Sequence, residues 1–476
     1  MEELKEKTLS GVKWSALGRF STQGVSFVIS ILLARVLTPS DYGVVGMIGI
    51  FMAIAQTFID SGFGSALIRK KDCTDTDYST AFYFNAVVGV VCYLILFISA
   101  PFIARFFSTP ILKDIVRVLS INLFLGSLTI VQGAKLTAAV DFKSQAKISL
   151  VTTIVSGCIG LIMAYNGYGV WSLVYQSVAS SVVRTILFWF VTKWKPQHTF
   201  SKQSFKYLFG FGSKILSASL LHTIYSNLTT ILIGKFYTPK DLGYYTRGEG
   251  LAILPSSNIT GVLQSVTYPI LSKIQDDDER LIQVYRKYIR ITSMVIFFGM
   301  FLMASLAEPL IITLFTSKWQ DSVIYLQVFC LAYMFDHLCQ LNLNILYVKG
   351  RSDLVLRLEV IKKTISISMI VAAIPFGVLA ICISRALYTQ IAVIINTYYT
   401  GKLFGLGYFA QVKDFFRYLI CSFFAVLPAF ILTYTSLSEM AVLFIGAITS
   451  CLFYWLLVRR DEGFIELLNL VQKRNR

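Results

Sequence analysis

Residues 31–43 read ILLARVLTPSDYG, and residues 231–243 read ILIGKFYTPKDLG. The offset is 200 residues, and six positions coincide: Ile31/Ile231, Leu32/Leu232, Thr38/Thr238, Pro39/Pro239, Asp41/Asp241 and Gly43/Gly243. Arg35 is answered by Lys235, so the charge is kept as well. In each copy one apolar run stops and another starts. Thr38 and Thr238 stand at N-cap positions, Pro39 and Pro239 at the first helical position, and Asp41 and Asp241 where a capping box places its acid. The motif is a helix end followed at once by a helix start, and its recurrence marks two homologous halves.

The runs on either side of the motif are long. The chain has 476 residues, 55% hydrophobic and 14% charged, where an ordinary soluble domain carries about 25% charged residues. The mean hydropathy is +0.67. Runs of roughly 20 apolar residues match a hydrocarbon core of about 30 Å. The expected fold class is an all-α integral membrane protein of about 14 transmembrane helices. Spans are expected near 12–37, 42–68, 78–106, 115–139, 148–166 and 168–191, then near 207–236, 242–271, 288–315, 323–348, 353–376 and 378–400, and last near 415–434 and 438–458. Six spans separate the two motifs, so both halves enter the membrane in the same sense, as parallel repeats about an axis along the membrane normal. The expected organisation is a six-helix bundle over 1–200, its repeat over 201–400, and two further helices with a basic cytoplasmic tail over 401–476. Fourteen spans of about 21 residues leave no room for a soluble catalytic domain.

The net charge is +17, and in a membrane protein it is read loop by loop. Roughly 31 Lys and Arg fall on the side of the N-terminus, the loops after even-numbered spans and the C-terminus, against about seven on the other. Arg69, Lys70, Lys71, Lys273, Arg286, Lys287, Lys349 and Arg351 all lie on the rich side, which makes it cytoplasmic, with both termini inside. Contact with lipid headgroups accounts for most of these charges, and nothing in the composition argues for nucleic acid. The opening MEELKEKTLSG lacks a short apolar core and a cleavage site, so the first span is expected to act as an uncleaved targeting signal. Cys92, Cys158, Cys330, Cys339, Cys382, Cys421 and Cys451 lie in apolar runs and read as small core residues, while Cys73 sits in a basic loop. No metal-ligand spacing, phosphate loop, HExxH or GxSxG motif occurs, and no cofactor is expected. The NxT matches at Asn227 and Asn258 fall in spans and read as accidental.

Polar side chains within spans are costly and usually face a bundle interior or a watery cavity. In the first span Arg19, Gln23, Ser26 and Ser30 share one helical face, and the offset of 200 gives Ser219, Thr223, Ser226 and Thr230, with His222, Tyr225 and Asn227 beside them. The second span carries Gln56 and Asp60. Its counterpart carries Thr246, Glu249, Ser256 and Thr260 with Arg247 and Asn258 nearby, and the tenth span carries Asp336, His337, Gln340 and Asn344. These stripes are expected to line a hydrated cavity. Arg19, Gln23, Ser26, Gln56, Thr223, Ser226, Asn227, Arg247, Gln340 and Asn344 are the candidate substrate-binding residues. Asp60, Glu249, Asp336 and His337 are candidates for ion coupling, since a membrane carboxylate or imidazole can take up and release a proton. Arg35 and Lys235 are candidate cations on the exit side. Arg184 and Lys214 lie near span ends, where snorkelling accounts for them, and Arg385 is a further in-span cation.

The opening segment, residues 10–70, closely resembles the polysaccharide transport family of bacterial flippases, the Wzx-type proteins. Trp14, Gly18, Arg19, Gln23, the LAR of Leu33–Arg35, the Pro39, Asp41 and Gly43 spacing, and Asp60 followed by GFG at Gly62–Gly64 carry the resemblance. It implies the fold of the multidrug, oligosaccharidyl-lipid and polysaccharide exporters: two six-helix bundles in a V, rocking between inward-open and outward-open states. It also implies the cargo, undecaprenyl-diphosphate-linked oligosaccharide repeat units moved across a bacterial inner membrane for O-antigen, capsule or exopolysaccharide. Its implied partners are that lipid-linked oligosaccharide, membrane lipids, and the polysaccharide polymerase and chain-length regulator. Arg19 would then engage diphosphate, the neutral stripe residues sugar, and the carboxylates a coupling ion. Relatives that flip peptidoglycan precursor concentrate several arginines in the early helices, whereas this chain offers Arg19 and Arg35.

Two other readings compete. A drug or cation exporter of the same fold would use the acids Asp60, Glu249 and Asp336. A multispanning polymerase, ligase or glycosyltransferase would need a sizeable external loop bearing catalytic side chains, and the sequence has none.

Overall fold

The computed structural model describes residues 2–60, 62–70, 72–461 and 463–464. Lys71 and residues 465–476, most of the expected basic tail, lie outside the described residues. Among the described residues there are helices and turns and no strand. The chain packs as two compact units, Met1–Gly243 and Tyr244–Arg476.

The first unit contains α1 (Glu2–Val36), α2 (Pro39–Asp60), α3 (Phe63–Arg69), α4 (Asp75–Phe106), α5 (Leu112–Leu119), α6 (Ile121–Ser127), α7 (Ile130–Ala138), α8 (Phe142–Tyr165), α9 (Val170–Thr192) and α10 (Lys202–Phe236). The division falls within α11 (Pro239–Lys273), and the second unit continues through α12 (Asp278–Ser305), α13 (Ala307–Phe315), α14 (Ser322–Tyr333), α15 (Asp336–Val348), α16 (Ser352–Ala373), α17 (Val378–Phe404), α18 (Tyr408–Leu432) and α19 (Glu439–Val458).

Among the described residues twelve stretches, rather than fourteen, are helical, long and apolar enough to cross a membrane, with α2–α3, α5–α7 and α14–α15 each counting as one. The two other expected spans exist as helices of sufficient length. In α11 the apolar run is diluted by Pro255, Ser256, Ser257, Asn258 and Gln264, and α16 carries Arg357, Glu359, Lys362 and Lys363 between its start and its middle turn. Outward faces are apolar, as lipid requires. Val87, Val91, Leu94, Ile98 and Phe102 form an exposed stripe along α4. For the same reason the cysteine reading needs correction. Cys92, Cys330 and Cys382 are buried, but Cys158 and Cys451 are exposed, because an apolar residue on a membrane helix has lipid as well as core available to it.

The repeated motif builds two matching helix starts. Thr38 N and Oγ1 donate to Asp41 Oδ2 at 2.9 and 2.7 Å, and Thr238 N and Oγ1 donate to Asp241 Oδ2 at 3.1 and 2.6 Å. Both are complete capping boxes, since Asp41 N and Asp241 N return bonds to the threonine hydroxyls at 3.4 and 3.2 Å. The two copies also meet. A Cβ on Gly43 would collide with the Pro239 carbonyl oxygen, and one on Gly243 with the Pro39 carbonyl oxygen.

Within the first unit α1 lies along α8, where Gly18 abuts Ala146 and Gly157 abuts Ile29. Small residues let backbones approach, the usual basis of helix association in lipid. At the end of the unit formed by α3 and the start of α4, Phe63, Leu67, Ala81, Phe82 and Leu208 bury together, and Trp189 and Trp194 pack against them. In the second unit α12 pairs with α18, and α18 with α19. Asn342 Nδ2 donates to Gln411 Oε1 at 3.0 Å and Gln411 Nε2 to Asn342 Oδ1 at 2.9 Å, and Thr400 Oγ1 adds a bond to Asn342 Oδ1 at 2.7 Å. Such interhelical pairs are worth about 0.6–2 kcal/mol each.

Candidate functional site

In the first unit the polar stripe of α1 borders two cavities. Arg19 and Gln23 line one of about 370 Å³ with Ser15, Thr22, Gln145 and Ser149. Ser26 and Ser30 line another of about 480 Å³ with Thr153, Gln176, Ser177 and Ser180. The stripe is therefore one polar face, but its two halves open onto separate spaces beside α8 and α9.

Asp60 stands at a break. It is the last residue of α2, and the span resumes as α3 after Gly62, which has φ +71° and presses on Gly212, whose Cα lies 2.8 Å from where a Cβ would stand. Only glycine suits both conditions. The carboxylate thus sits at a helix C-terminus, an end whose partial charge is negative. Gln56 Nε2 donates to Asp60 Oδ1 at 2.9 Å, and the Arg184 guanidinium is within electrostatic reach. Asp60 lines a cavity of about 390 Å³ with Thr57, Ser65, Thr137 and Ser219. Thr57 Oγ1 and Thr223 Oγ1 bond at 3.1 Å, joining α2 to α10 at the residue expected from the 200-residue offset.

Ser226 Oγ and His222 Nε2 bond at 3.4 Å on α10, and Asn227 Nδ2 donates to the Thr223 carbonyl at 2.8 Å. Lys235 Nζ donates to the Phe106 carbonyl at 2.6 Å and lies over the Phe106 ring, so this candidate cation covers a helix end. Arg35 is exposed in the last turn of α1.

The second unit repeats the theme of an acid at an interrupted span. The helix stops at Tyr333 and resumes at Asp336, which occupies the first turn of α15, where the helix dipole favours a negative charge. Tyr333 Oη donates to Glu249 Oε1 at 2.7 Å. Arg385 lies over the Tyr333 ring at 5.9 Å and reaches Asp336, Glu249 and Tyr245 electrostatically, with Lys362 also near Asp336. Glu249 is held in place because Gly248 lets α11 press against α14, with the Leu326 amide 2.9 Å from where a Cβ would stand. Discontinuous helices with polar groups at the break are the usual construction of transporter ion and substrate sites.

The other candidates of this unit face elsewhere. His337 is buried and bonds Ser293 Oγ at 2.9 Å, so adjacent Asp336 and His337 serve different surroundings. Gln340 Oε1 accepts from Gln264 at 2.8 Å, and Asn344 Nδ2 donates to Thr267 at 3.3 Å, both tying α15 to α11. Arg247 lies over Phe315 and Trp319 at 4.7 and 4.8 Å. Among the described residues no group of three or more His, Cys, Asp or Glu has a geometry that would hold a metal ion. The sequence does not mark Arg184, Tyr333 or Lys362 as site residues: Arg184 reads as a snorkelling end charge, and nothing in the run LAYMF marks Tyr333.

A family model described as polysaccharide biosynthesis protein matches residues 32–324. The chain belongs to this family. Among curated members of similar sequence is the teichuronic acid biosynthesis protein TuaB of Bacillus subtilis, 26% identical over 356 residues that make up 74% of each chain. Another is the lipopolysaccharide biosynthesis protein WzxC of Escherichia coli, 25% identical over 451 residues, covering 90% of this chain and 88% of WzxC. In fold, this polysaccharide biosynthesis family member is similar to the lipid II flippase MurJ in an inward closed conformation, with a TM-score of 0.74 at 14% identity over 94% of this chain and 98% of that one. It is also similar to an inward-facing multidrug resistance MATE family transporter, with a TM-score of 0.63 at 14% identity over 82% and 96%. The expected all-α integral membrane fold is borne out, without the count of fourteen spans, and the chain is a multi-pass membrane protein of the polysaccharide biosynthesis family.

Proposed function

We propose that this chain is a flippase, a transporter rather than an enzyme, that moves undecaprenyl-diphosphate-linked oligosaccharide repeat units across the bacterial inner membrane for surface polysaccharide assembly. The observation that carries the reading is that a chain made of membrane-length helices belongs to a polysaccharide biosynthesis family. The naming of MurJ as a lipid II flippase supports it. The sequence repeat supports a framework of two six-helix bundles over 1–200 and 201–400 with two added helices, and the Lys and Arg distribution supports cytoplasmic termini.

In this proposal Arg19 holds the diphosphate by charge-assisted hydrogen bonds. Gln23, Ser26, Gln56, Thr223, Ser226, Asn227, Gln340 and Asn344 contact sugar, and Arg247 adds a second cation. The carboxylates Asp60, Glu249 and Asp336, with His337, carry the coupling ion as access alternates. The location of Asp60 and Asp336 at span breaks supports that role.

The test is leaflet transfer of a fluorescent undecaprenyl-diphosphate oligosaccharide in liposomes holding the purified protein, with and without an imposed proton or sodium gradient. Protein-dependent transfer is the expected result. Its absence with several glycans, together with efflux of cationic dyes, would overturn the reading in favour of drug export.

A further inference from the structure

On the second unit, away from the candidate site residues, two arginines gather about one buried acid. Arg286 donates to Asp414 from Nε at 2.8 Å and Nη2 at 2.9 Å, and Arg290, one turn along α12, donates from Nε at 3.0 Å and Nη2 at 2.9 Å. The Asp414 side chain is 1% exposed, while both arginines are 41% exposed. All four bonds use Nε and Nη2, so Nη1 of each guanidinium is not spent on Asp414. The carboxylate fixes two guanidinium planes but neutralises only one charge.

Those arginines, with Gln283 and Lys287, line a cavity of about 380 Å³ closed on another side by Gly463. Asp461 secures that side by accepting from Tyr418 Oη at 2.6 Å and the Gly463 amide at 2.9 Å and by pairing with Arg417 at 2.8 Å. Two guanidiniums on one carboxylate leave this wall of the cavity positive. Its depth is that of a headgroup layer, because α12 turns from DERLIQVYRK to the apolar YIRITSMVIFF between Arg286 and Arg290. Oriented guanidiniums suit phosphate oxygens better than a lone ammonium does, and a basic pocket at such a depth is built for anionic lipid.

We propose that this cavity binds the phosphate of an anionic lipid headgroup. The site is independent of the transported cargo. The purified full-length protein in detergent is offered equal amounts of phosphatidylglycerol and phosphatidylcholine, and retained lipid is counted by native mass spectrometry. Phosphatidylglycerol is expected to be retained about fivefold over phosphatidylcholine for each cation engaged. Lys287→Gln with Gln283→Glu should bring that preference close to unity at unchanged melting temperature. Lys287→Gln alone should lower it in the same direction, should the double variant fail to fold. Equal retention of the two lipids, or a preference that both variants leave intact, overturns the proposal. Displacement of phosphatidylglycerol by an equal concentration of soluble glycerol phosphate also overturns it, since the ligand would then be a free phosphate.

Discussion

Gly43 and Gly243 occupy equivalent places in the two copies of the repeat, and each lies against the carbonyl of the proline that starts the other copy's helix. Neither carbonyl can yield, because each belongs to a capped helix start. Gly43→Ala and Gly243→Ala should each destabilise the protein by about 1–3 kcal/mol, the usual cost of overpacking. Gly49→Ala and Gly250→Ala, with nothing within 4 Å of the added carbon, should melt no lower than the parent. Thermal melts of the four variants in one detergent decide it; equal changes in all four would show that the crossing does not set the outcome, since helix propensity alone favours Ala over Gly at every position.

Asp60 and Asp336 should respond oppositely to neutralisation. Asp60 lies at a helix C-terminus and Asp336 in a first turn, and such placements are worth about 0.3–1 kcal/mol, with opposite signs. Asp60→Asn should melt no lower than the parent and Asp336→Asn measurably lower. Both should lose gradient-driven transfer in the liposome assay. Retained gradient dependence in either variant removes that residue from the coupling role.

Arg19→Ala should abolish transport with expression and melting temperature intact, since Arg19 is exposed on α1. Flipping at the parent rate would exclude it from diphosphate binding.

Tyr333→Phe removes the donor to Glu249 Oε1 and leaves a carboxylate one bond short, a loss of about 1–3 kcal/mol. Arg385→Met should cost more, because it removes the cation shared by Asp336 and Glu249. A double variant Glu249→Gln with Tyr333→Phe should recover part of the loss, and strict additivity in that cycle would count against direct coupling.

Cys73 lies in the loop between α3 and α4, and its Sγ donates to the Leu67 carbonyl at 3.1 Å. Burial, with the Asp77 carboxylate adding to it, pushes the thiol above its usual range. The thiolate fraction at neutral pH is therefore small, and maleimide labelling should climb only at pH above that of an ordinary cysteine. Labelling of Cys73 at the rate of a free thiol at neutral pH would contradict this.

Much of this was legible in the sequence because the signals are local. The capping boxes need only the spacing of Thr38, Pro39 and Asp41 and its copy, and the stripe from Arg19 to Ser30 needs only helical periodicity. The 200-residue offset also marks Thr223 as the counterpart of Gln23, and its hydroxyl bonds Thr57. The span breaks were not legible, because Asp336 follows Tyr333 inside one continuous apolar run and nothing local says the helix stops there. Nor was the cluster around Asp414, which joins residues 124 and 128 positions apart. Nor was the setting of Lys362, one of the Lys and Arg counted on the basic side, which is buried on α16 and paired with Glu359 at 2.5 Å.

The two notches between α1 and α8 have a mechanical consequence. Gly18 fits Ala146 and Ile29 fits Gly157, contacts about 16 Å apart along α1 at 1.5 Å per residue. One point of contact would allow a helix to pivot; two fix both its spacing and its azimuth. α1 and α8 therefore form a single stiff beam, and the first helix cannot roll to turn Arg19 and Gln23 toward a new direction. Any displacement that changes what Arg19 and Gln23 face must move the beam as a whole or move something else against it.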